Sequence, residues 1–160
     1  MAIDIFFSAL HCLGATIYGG SLIAFSLLLA MRHLIVGEHS NDVMGVFRAW
    51  GPGLGLSMGA LILGGAVTHF RIHGAFVWPT NTLPQQLIVA QHLVFLILWA
   101  SSFHLEIWTL DPVRKLVGPT GIQDRANYER ACASATRQAL FNAVLFLICG
   151  SLGFFATQLA

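Results

Sequence analysis

Four long apolar runs, separated by shorter polar stretches, dominate the pattern of the chain. The runs cover approximately residues 3–30, 52–70, 87–110 and 139–159. Each is close to or longer than the roughly 20 mainly apolar residues that an α-helix needs to cross a bilayer. The pattern therefore predicts an all-α, integral membrane four-helix bundle that forms a single domain over residues 1–160.

The polar connections contain helix signals of their own. In the first connection, the Ser-Asn-Asp segment at residues 40–42 precedes apolar residues at three- and four-residue spacing, which predicts a short interfacial helix on the inner membrane surface. In the third connection, Thr120 and Gln123 have the spacing of a capping box. We therefore expect the fourth helix to begin near Gly121, ahead of its apolar run.

Composition and charge indicate the solvent and the orientation of the bundle. The chain is 56% apolar and only 9% charged, whereas a soluble domain carries about 25% charged residues. Seven of the eight basic residues lie in the first and third connections, and Arg71 alone lies in the second. The positive-inside rule then places the two basic loops in the cytoplasm and both termini outside, as in a multi-pass protein of an inner membrane. The formal net charge of +1 gives no indication of a nucleic-acid partner.

Three histidines, His11, His69 and His92, lie in three different apolar runs. Threaded through a bilayer at about 1.5 Å per residue, they fall in the outer leaflet at similar depths. Ionisable side chains inside a membrane are costly and are retained for function. Gly65 lies one turn from His69 on the same helix face, where its missing side chain leaves room for a flat ligand. These four residues form the predicted cofactor-binding site, and the histidines are its candidate metal ligands.

Neutral imidazoles are ligands for haem iron, copper or zinc. His11 and His92, each well inside its run, are the best-matched pair, and His69 is the alternative second ligand. Two histidines complete a six-coordinate haem b, which transfers electrons because no coordination position stays open. Copper is the less favoured metal, since the four methionines are scattered along the chain. For each histidine, a hydrogen bond to a backbone carbonyl or a lipid headgroup is the alternative.

Other features of the runs carry weaker signals. His104 and Glu106, near the inner boundary, fit a second haem, a proton path, a quinone headgroup site or an interfacial cluster with Arg137. Small residues recur every four positions in the second run, in the rows 51-55-59 and 60-64-68, which favours close helix packing. No nucleotide loop, nucleophile elbow or HExxH motif is present in the sequence, so no stand-alone enzymatic reaction is indicated.

The first helix also carries a resemblance to a known group of proteins. The segment Ala9-Leu10-His11, followed by Tyr18-Gly19-Gly20, resembles the opening of four-helix membrane proteins of the copper-resistance D superfamily. That superfamily includes the haem-binding membrane protoporphyrinogen oxidase family. The same layout is matched by Phe47-Arg48 before a glycine-rich second helix, by histidines at both ends of the third helix, and by Arg137 with Asn142 opening the fourth.

The resemblance implies a four-helix scaffold and a haem. By motif, the haem-binding role of the first-helix histidine in the oxidase family falls on His11. A lysine in the third helix is typical of that family, but the only lysine here, Lys115, lies in the third connection. The departure from the family pattern favours electron transfer over porphyrinogen oxidation.

Together these features predict a membrane-integral b-type haem protein, an electron-transfer subunit of a larger membrane redox complex that connects the quinone pool with a periplasmic partner. Membrane lipid, other subunits and a quinone are the expected partners. A non-catalytic structural subunit that packs by its glycine rows is the first alternative, and a copper-handling membrane protein is the second.

Overall fold

The computed structural model of the protein is built from helices and describes residues 2–31, 40–73, 81–118, 121–122 and 124–159. A π-helical turn, Leu105–Thr109, joins the third helix to the fourth. Four helical stretches in these residues are long and apolar enough to cross a membrane, which confirms the predicted four-helix membrane fold. The elements in chain order are α1 (Ala2–Ala30), α2 (Ser40–His73), α3 (Leu83–His104), α4 (Leu110–Leu116), β1 (Val117–Gly118), β2 (Gly121–Ile122) and α5 (Arg125–Gln158).

The helix predicted in the first connection is the first part of α2. α2 begins at Ser40 and runs without interruption through Pro52 to His73. Proline removes one backbone N–H from a helix ladder, and here the 34-residue helix continues past it. The interfacial segment and the second membrane span are therefore one continuous element.

The third helical rod extends beyond its predicted end at residue 110. The π-turn and α4 continue it, and the candidate membrane span covers Leu83–Leu116. Pro112 lies in the first turn of α4, where a missing N–H costs little. Lys115 therefore lies in a helix and not in a loop, and its ammonium pairs with the Asp111 carboxylate one turn earlier at 2.6 Å.

α5 begins at Arg125, later than the predicted start near Gly121, which pairs with Gly118 between the two short strands. The N-cap is Asp124, whose carboxylate accepts the backbone N–H of Asn127 at 3.0 Å. That hydrogen bond is the main reason why the pKa of Asp124 lies below its usual value. The predicted capping-box positions 120 and 123 lie outside the described residues.

The bundle has four long helical rods: α1, α2, α5 and the third rod, which consists of α3, the π-turn and α4. Neighbouring rods pack in pairs, except that α2 and α3 stay apart. α1 packs against α2 and α5, and α3 packs against α5. α2 approaches α4 but makes at most isolated contacts with α3 among the described residues. We call the end formed by the N-terminal halves of α1 and α3 and the C-terminal halves of α2 and α5 the histidine end. The opposite end, which contains α4, is the distal end.

The most deeply buried side chains lie from the middle of the bundle towards the distal end. Tyr18, Phe25, Leu98 and Tyr128 are at most 1% exposed. They belong to one continuous cluster that α1, α3 and α5 share. Burial of this apolar surface fixes the distal half as a closed core.

The two small-residue rows of α2 have different surroundings. At the α1–α2 interface, a Cβ added to Gly64 would lie 2.6 Å from the backbone nitrogen of His11, so the row 60-64-68 allows the two backbones to touch. A Cβ added to Gly55 or Gly59 would meet no atom of the described residues within 4 Å. The row 51-55-59 is therefore open at these two positions.

Candidate functional site

A cavity of about 570 Å³ lies at the histidine end, between the four long helices. α1 contributes His11 and α2 contributes a face that ends at His69. α3 contributes His92 and Leu98, and α5 contributes small and aromatic side chains near its C-terminal end. The structure thus brings the four predicted site residues, Gly65 included, together around one cavity.

The His11 ring is fixed by a hydrogen bond between helices. Its Nδ1 lies 2.9 Å from the backbone carbonyl oxygen of Leu61. A carbonyl only accepts, so Nδ1 carries the proton and donates. In the neutral ring, Nε2 is then unprotonated and keeps the lone pair that a metal requires. This hydrogen bond is the one that the alternative without a metal predicts for His11, and a bond from one ring nitrogen to a carbonyl is also typical of metal-bound histidines.

Gly65 provides space for the His11 ring. A Cβ at this position would lie 2.9 Å from Nδ1 and 3.0 Å from Cε1 of His11. The expectation that the missing side chain leaves room for a flat ligand therefore needs a correction, because an imidazole already fills that room. Gly65 still lines the cavity, and it sets the position of the histidine beside it.

His69 and His92 meet edge to face across the gap between α2 and α3. Their ring centroids lie 5.0 Å apart with an interplanar angle of 82°. The close histidine pair of the structure is thus His69 with His92, whereas the sequence favoured His11 with His92. Within the part of the chain that the structure describes, no group of three or more His, Cys, Asp or Glu side chains is close enough to share one metal ion.

Sequence reasoning missed four polar residues of the cavity, one of which is Thr157 near the end of α5. Thr68 and Gln91, each directly before a site histidine in the chain, line it together with Cys149. The Thr68 hydroxyl is buried and has no hydrogen-bond partner among the described residues, while the Cys149 thiol lies 3.7 Å from the backbone oxygen of Gln91. Their adjacency to His69 and His92 was the available signal, since neighbouring helix positions share depth in the membrane. Cys149 is buried, with 8% of its surface exposed.

A polar network lies beyond the floor of the cavity, towards the distal end. We define it as Tyr18, Ser101, Ser102, Gln138 and Asn142. Ser102 donates its proton to the Leu98 carbonyl at 2.7 Å, so the Tyr18 hydroxyl donates to Ser102. The Gln138 amide donates to Ser101 at 2.5 Å, and Ser101 donates to the Asn142 carbonyl oxygen at 2.5 Å.

None of the five network residues lines the cavity, whereas Leu98, whose carbonyl accepts from Ser102, does. The network therefore joins α1, α3 and α5 inside the bundle and does not extend the ligand site. Each hydroxyl in it has an assigned partner.

His104 and Glu106, which lie near each other in the sequence, contact different residues in the structure. Glu106 pairs with Arg114 at 2.8 Å. His104 is exposed, its Nδ1 lies 3.3 Å from the Thr109 hydroxyl, and its ring tilts against Trp108 at a centroid distance of 5.7 Å. An ion pair therefore holds the carboxylate at this end.

The helices and the cavity define a class of protein: a four-helix bundle apolar enough to span a membrane, with a histidine-lined cavity at one end. Compared with protein-family models, with curated proteins and with solved structures, the chain has no match.

Proposed function

We propose that the protein is a membrane-integral b-type haem protein that carries electrons as a subunit of a larger membrane redox complex. The observation that carries the proposal is the convergence of His11, His69 and His92, from three helices, on one cavity between membrane-spanning segments. Ionisable groups at such a depth are retained for function. The volume of about 570 Å³ falls within the roughly 300–1,000 Å³ of ligand and cofactor pockets.

Each part of the cavity has a role in this proposal. His11 is the histidine best prepared to ligate iron, because the Leu61 carbonyl fixes the proton on Nδ1. The second ligand comes from the contacting pair, His69 or His92. When bound, the haem supplies a one-electron couple. Leu98 and Phe146 line the cavity with apolar surface, which excludes water and tunes the reduction potential.

The proposed orientation in the membrane gives the electron route. The basic first and third connections lie at the distal end, and we infer that this end faces the cytoplasm of an inner membrane. The histidine end then faces outward, where a haem is within reach of both a membrane quinone and a periplasmic partner. The resemblance of the first-helix segment around His11 to the copper-resistance D superfamily supports the proposed haem-binding role of His11.

The test is the absorption spectrum of the purified protein, first oxidised and then reduced with dithionite. We expect a Soret band and a b-type pyridine haemochromogen spectrum. Replacing His11 or His92 with alanine removes or shifts the band, because an axial ligand is lost. His104→Ala is the matched control, since His104 is exposed at the distal end and does not line the cavity.

A preparation that binds no haem, even when haem is supplied during expression and reconstitution, contradicts the proposal. Metal analysis of the same sample tests the copper alternative, which requires bound copper without a Soret band. Loss of that copper on replacement of the cavity histidines would place it in this cavity.

One observation favours a second function, that of a non-catalytic subunit that packs against a larger enzyme. Gly55 and Gly59 lie one turn apart on α2, and within the part of the chain that the structure describes a Cβ at either would meet no atom within 4 Å. Such a row lets another helix approach closely. If haem content is nil and Gly59→Leu abolishes co-purification of a membrane partner, this second function replaces the first.

A further inference from the structure

The contact between α2 and the third rod is uneven along its length. α2 approaches α4 at the distal end, whereas α2 and α3 make at most isolated backbone contacts among the described residues. The other neighbouring pairs, α1 with α2, α1 with α5 and α3 with α5, have extensive interfaces. The sparse backbone contact between α2 and α3 leaves a seam between these two helices at the histidine end. We call this gap the α2–α3 seam.

The cavity reaches the α2–α3 seam. Ile62, Ala66 and His69 follow one another at helical spacing along α2, and Ile88, His92 and Phe95 do so along α3; all six line the cavity. None of the six is buried, and Ile62 is 37% exposed. By contrast, Leu61 and Leu98, which line the same cavity from its inner side, are 6% and 0% exposed.

The surface beside the seam is apolar and faces outward. Leu93 and Leu96 on α3 are each at least 50% exposed. In a membrane, such a surface lies against lipid chains. The edge-to-face contact of His69 with His92 bridges the seam, so two polar rings stand between the cavity and the lipid.

We propose that ligands reach the cavity from the lipid phase through the α2–α3 seam, and that the His69–His92 contact is its gate. The seam suits a planar amphiphile that partitions into bilayers, with an apolar edge or tail left in the lipid. The haem of the proposed function is one such molecule, so the identity of the ligand rests on that function. The route does not, because it follows from the open seam alone.

The route is tested with thiol reagents, which require no haem. The protein in vesicles is treated with neutral benzyl methanethiosulfonate or with the charged sulfonatoethyl methanethiosulfonate, and each cysteine is read by peptide mass spectrometry. Cys149 lines the cavity. Cys12, which is exposed on α1, reports reagent in the lipid, and the buried Cys132 is the unreactive control.

We expect the benzyl reagent to modify Cys12 and Cys149, and the charged reagent to leave Cys149 unmodified. In Ile62→Trp, the indole fills the seam and slows modification of Cys149 several-fold. Leu63→Trp is the matched control, because Leu63 is exposed on the same helix but does not line the cavity. Modification of Cys12 stays the same in both variants.

Equal modification of Cys149 by the two reagents overturns the proposal, and so does modification by neither, because an open seam admits the neutral one. Equal rates in Ile62→Trp and Leu63→Trp overturn it as well. In a second arm, apo-protein in vesicles is mixed with haemin, and the growth of the Soret band is expected to slow several-fold in Ile62→Trp only. If no Soret band forms in any variant but the thiol pattern holds, the haem function fails and the lipid route stands.

Discussion

The two halves of the bundle both contain polar side chains inside the membrane, but they use them differently. Towards the distal end, Tyr18, Ser102 and Asn142 satisfy one another across three helices. At the histidine end, the Thr68 hydroxyl lacks a partner among the described residues, and His11 has one nitrogen bonded to a carbonyl, which leaves the other as the proposed ligand. In the polar network the neighbouring helices use the hydrogen-bonding capacity of the side chains, whereas in the cavity part of that capacity is left for a ligand.

The polar network and the cavity also differ in what they contribute to the stability of the bundle. Hydrogen bonds between membrane helices contribute about 0.6 kcal/mol each on average, so the polar network adds modestly to a core that is already closed. A cavity removes dispersion contacts from the side chains that line it. We therefore expect substitutions near the distal end to change stability, and substitutions at the histidine end to change ligand binding.

The largest change in stability is expected at the α1–α2 interface beside the cavity. In Gly64→Leu, the new side chain meets the backbone of α1, where even a Cβ would lie 2.6 Å from the His11 nitrogen. Overpacking of this kind costs about 3 kcal/mol or more. The measurement is the midpoint of unfolding by sodium dodecyl sulfate in micelles, followed by circular dichroism. Gly59→Leu on the open face is the control and should unfold near the wild-type midpoint; equal midpoints for both variants would show that α1 and α2 are not in contact at Gly64.

A moderate effect is expected in the polar network. Asn142→Leu removes the acceptor for Ser101 from a fully buried position, so the Ser101 hydroxyl keeps the Gln138 amide as a donor but loses the acceptor for its own proton. The expected loss is about 1–2 kcal/mol of unfolding free energy, with the haem spectrum unchanged. Ser151→Ala is the control, because Ser151 is exposed and bonds only within α5. A shifted Soret band in Asn142→Leu would show that the polar network and the cavity are not independent.

A smaller change in stability, with a larger change in binding, is expected at Gly65. In Gly65→Ala, the methyl group falls 2.9 Å from Nδ1 of His11, so the ring must leave its hydrogen bond to Leu61. We expect weaker haem binding and a shifted reduction potential, with unfolding within about 1 kcal/mol of wild type. Gly150→Ala, also at the cavity but with open space around its Cβ, is the control. Haem-binding and redox titrations that give the same curves for the two variants would show that His11 does not bind the haem.

The smallest effect on stability concerns the cap of α5 at Asp124, directly before the candidate span Arg125–Gln158. Because the N–H of Asn127 lowers the pKa of Asp124 in the folded state, the carboxylate stabilises the fold above its unfolded pKa of about 3.9. This contribution is lost as the pH falls through the lower folded pKa. Asp124→Asn, which keeps the capping acceptor, should weaken the dependence of the unfolding midpoint between pH 7 and pH 3. A dependence identical to wild type would assign the acid sensitivity to other carboxylates.

The sequence predicted the helices well where hydrophobic length alone decides. All four spans and the helix at Ser40 followed from apolar runs and cap residues. Boundaries failed where two local signals competed. At residues 111–112, the Asp-Pro pair indicates a turn, but it fits the first turn of α4 after a π-turn. At Gly121, the capping-box spacing predicted the start of a helix. In the structure Gly121 pairs with Gly118 between the two short strands, and α5 begins after the N-cap at Asp124.

The candidate site could be predicted as a set of residues but not as a set of contacts. Depth along each helix follows from residue number, so His11, His69 and His92 were expected at one level, and they do line one cavity. Rotation about each helix axis depends on packing partners, which the sequence does not specify. For this reason the His69–His92 contact and the seating of His11 on Gly65 appear only in the structure.

The π-turn at Leu105–Thr109 has a consequence for the phase of the third rod. A π-turn inserts about one extra residue, and each α-helical residue turns the chain by about 100°. Glu106 and Arg114, eight positions apart, would be offset in a regular helix, but the extra residue returns them to one side, where they pair at 2.8 Å. Deleting one residue from the turn should therefore rotate everything after it by about 100° relative to the histidine-bearing part of α3. The π-turn therefore sets the direction of the side chains after it, so that the same rod lines the cavity at one end and forms the ion pair at the other.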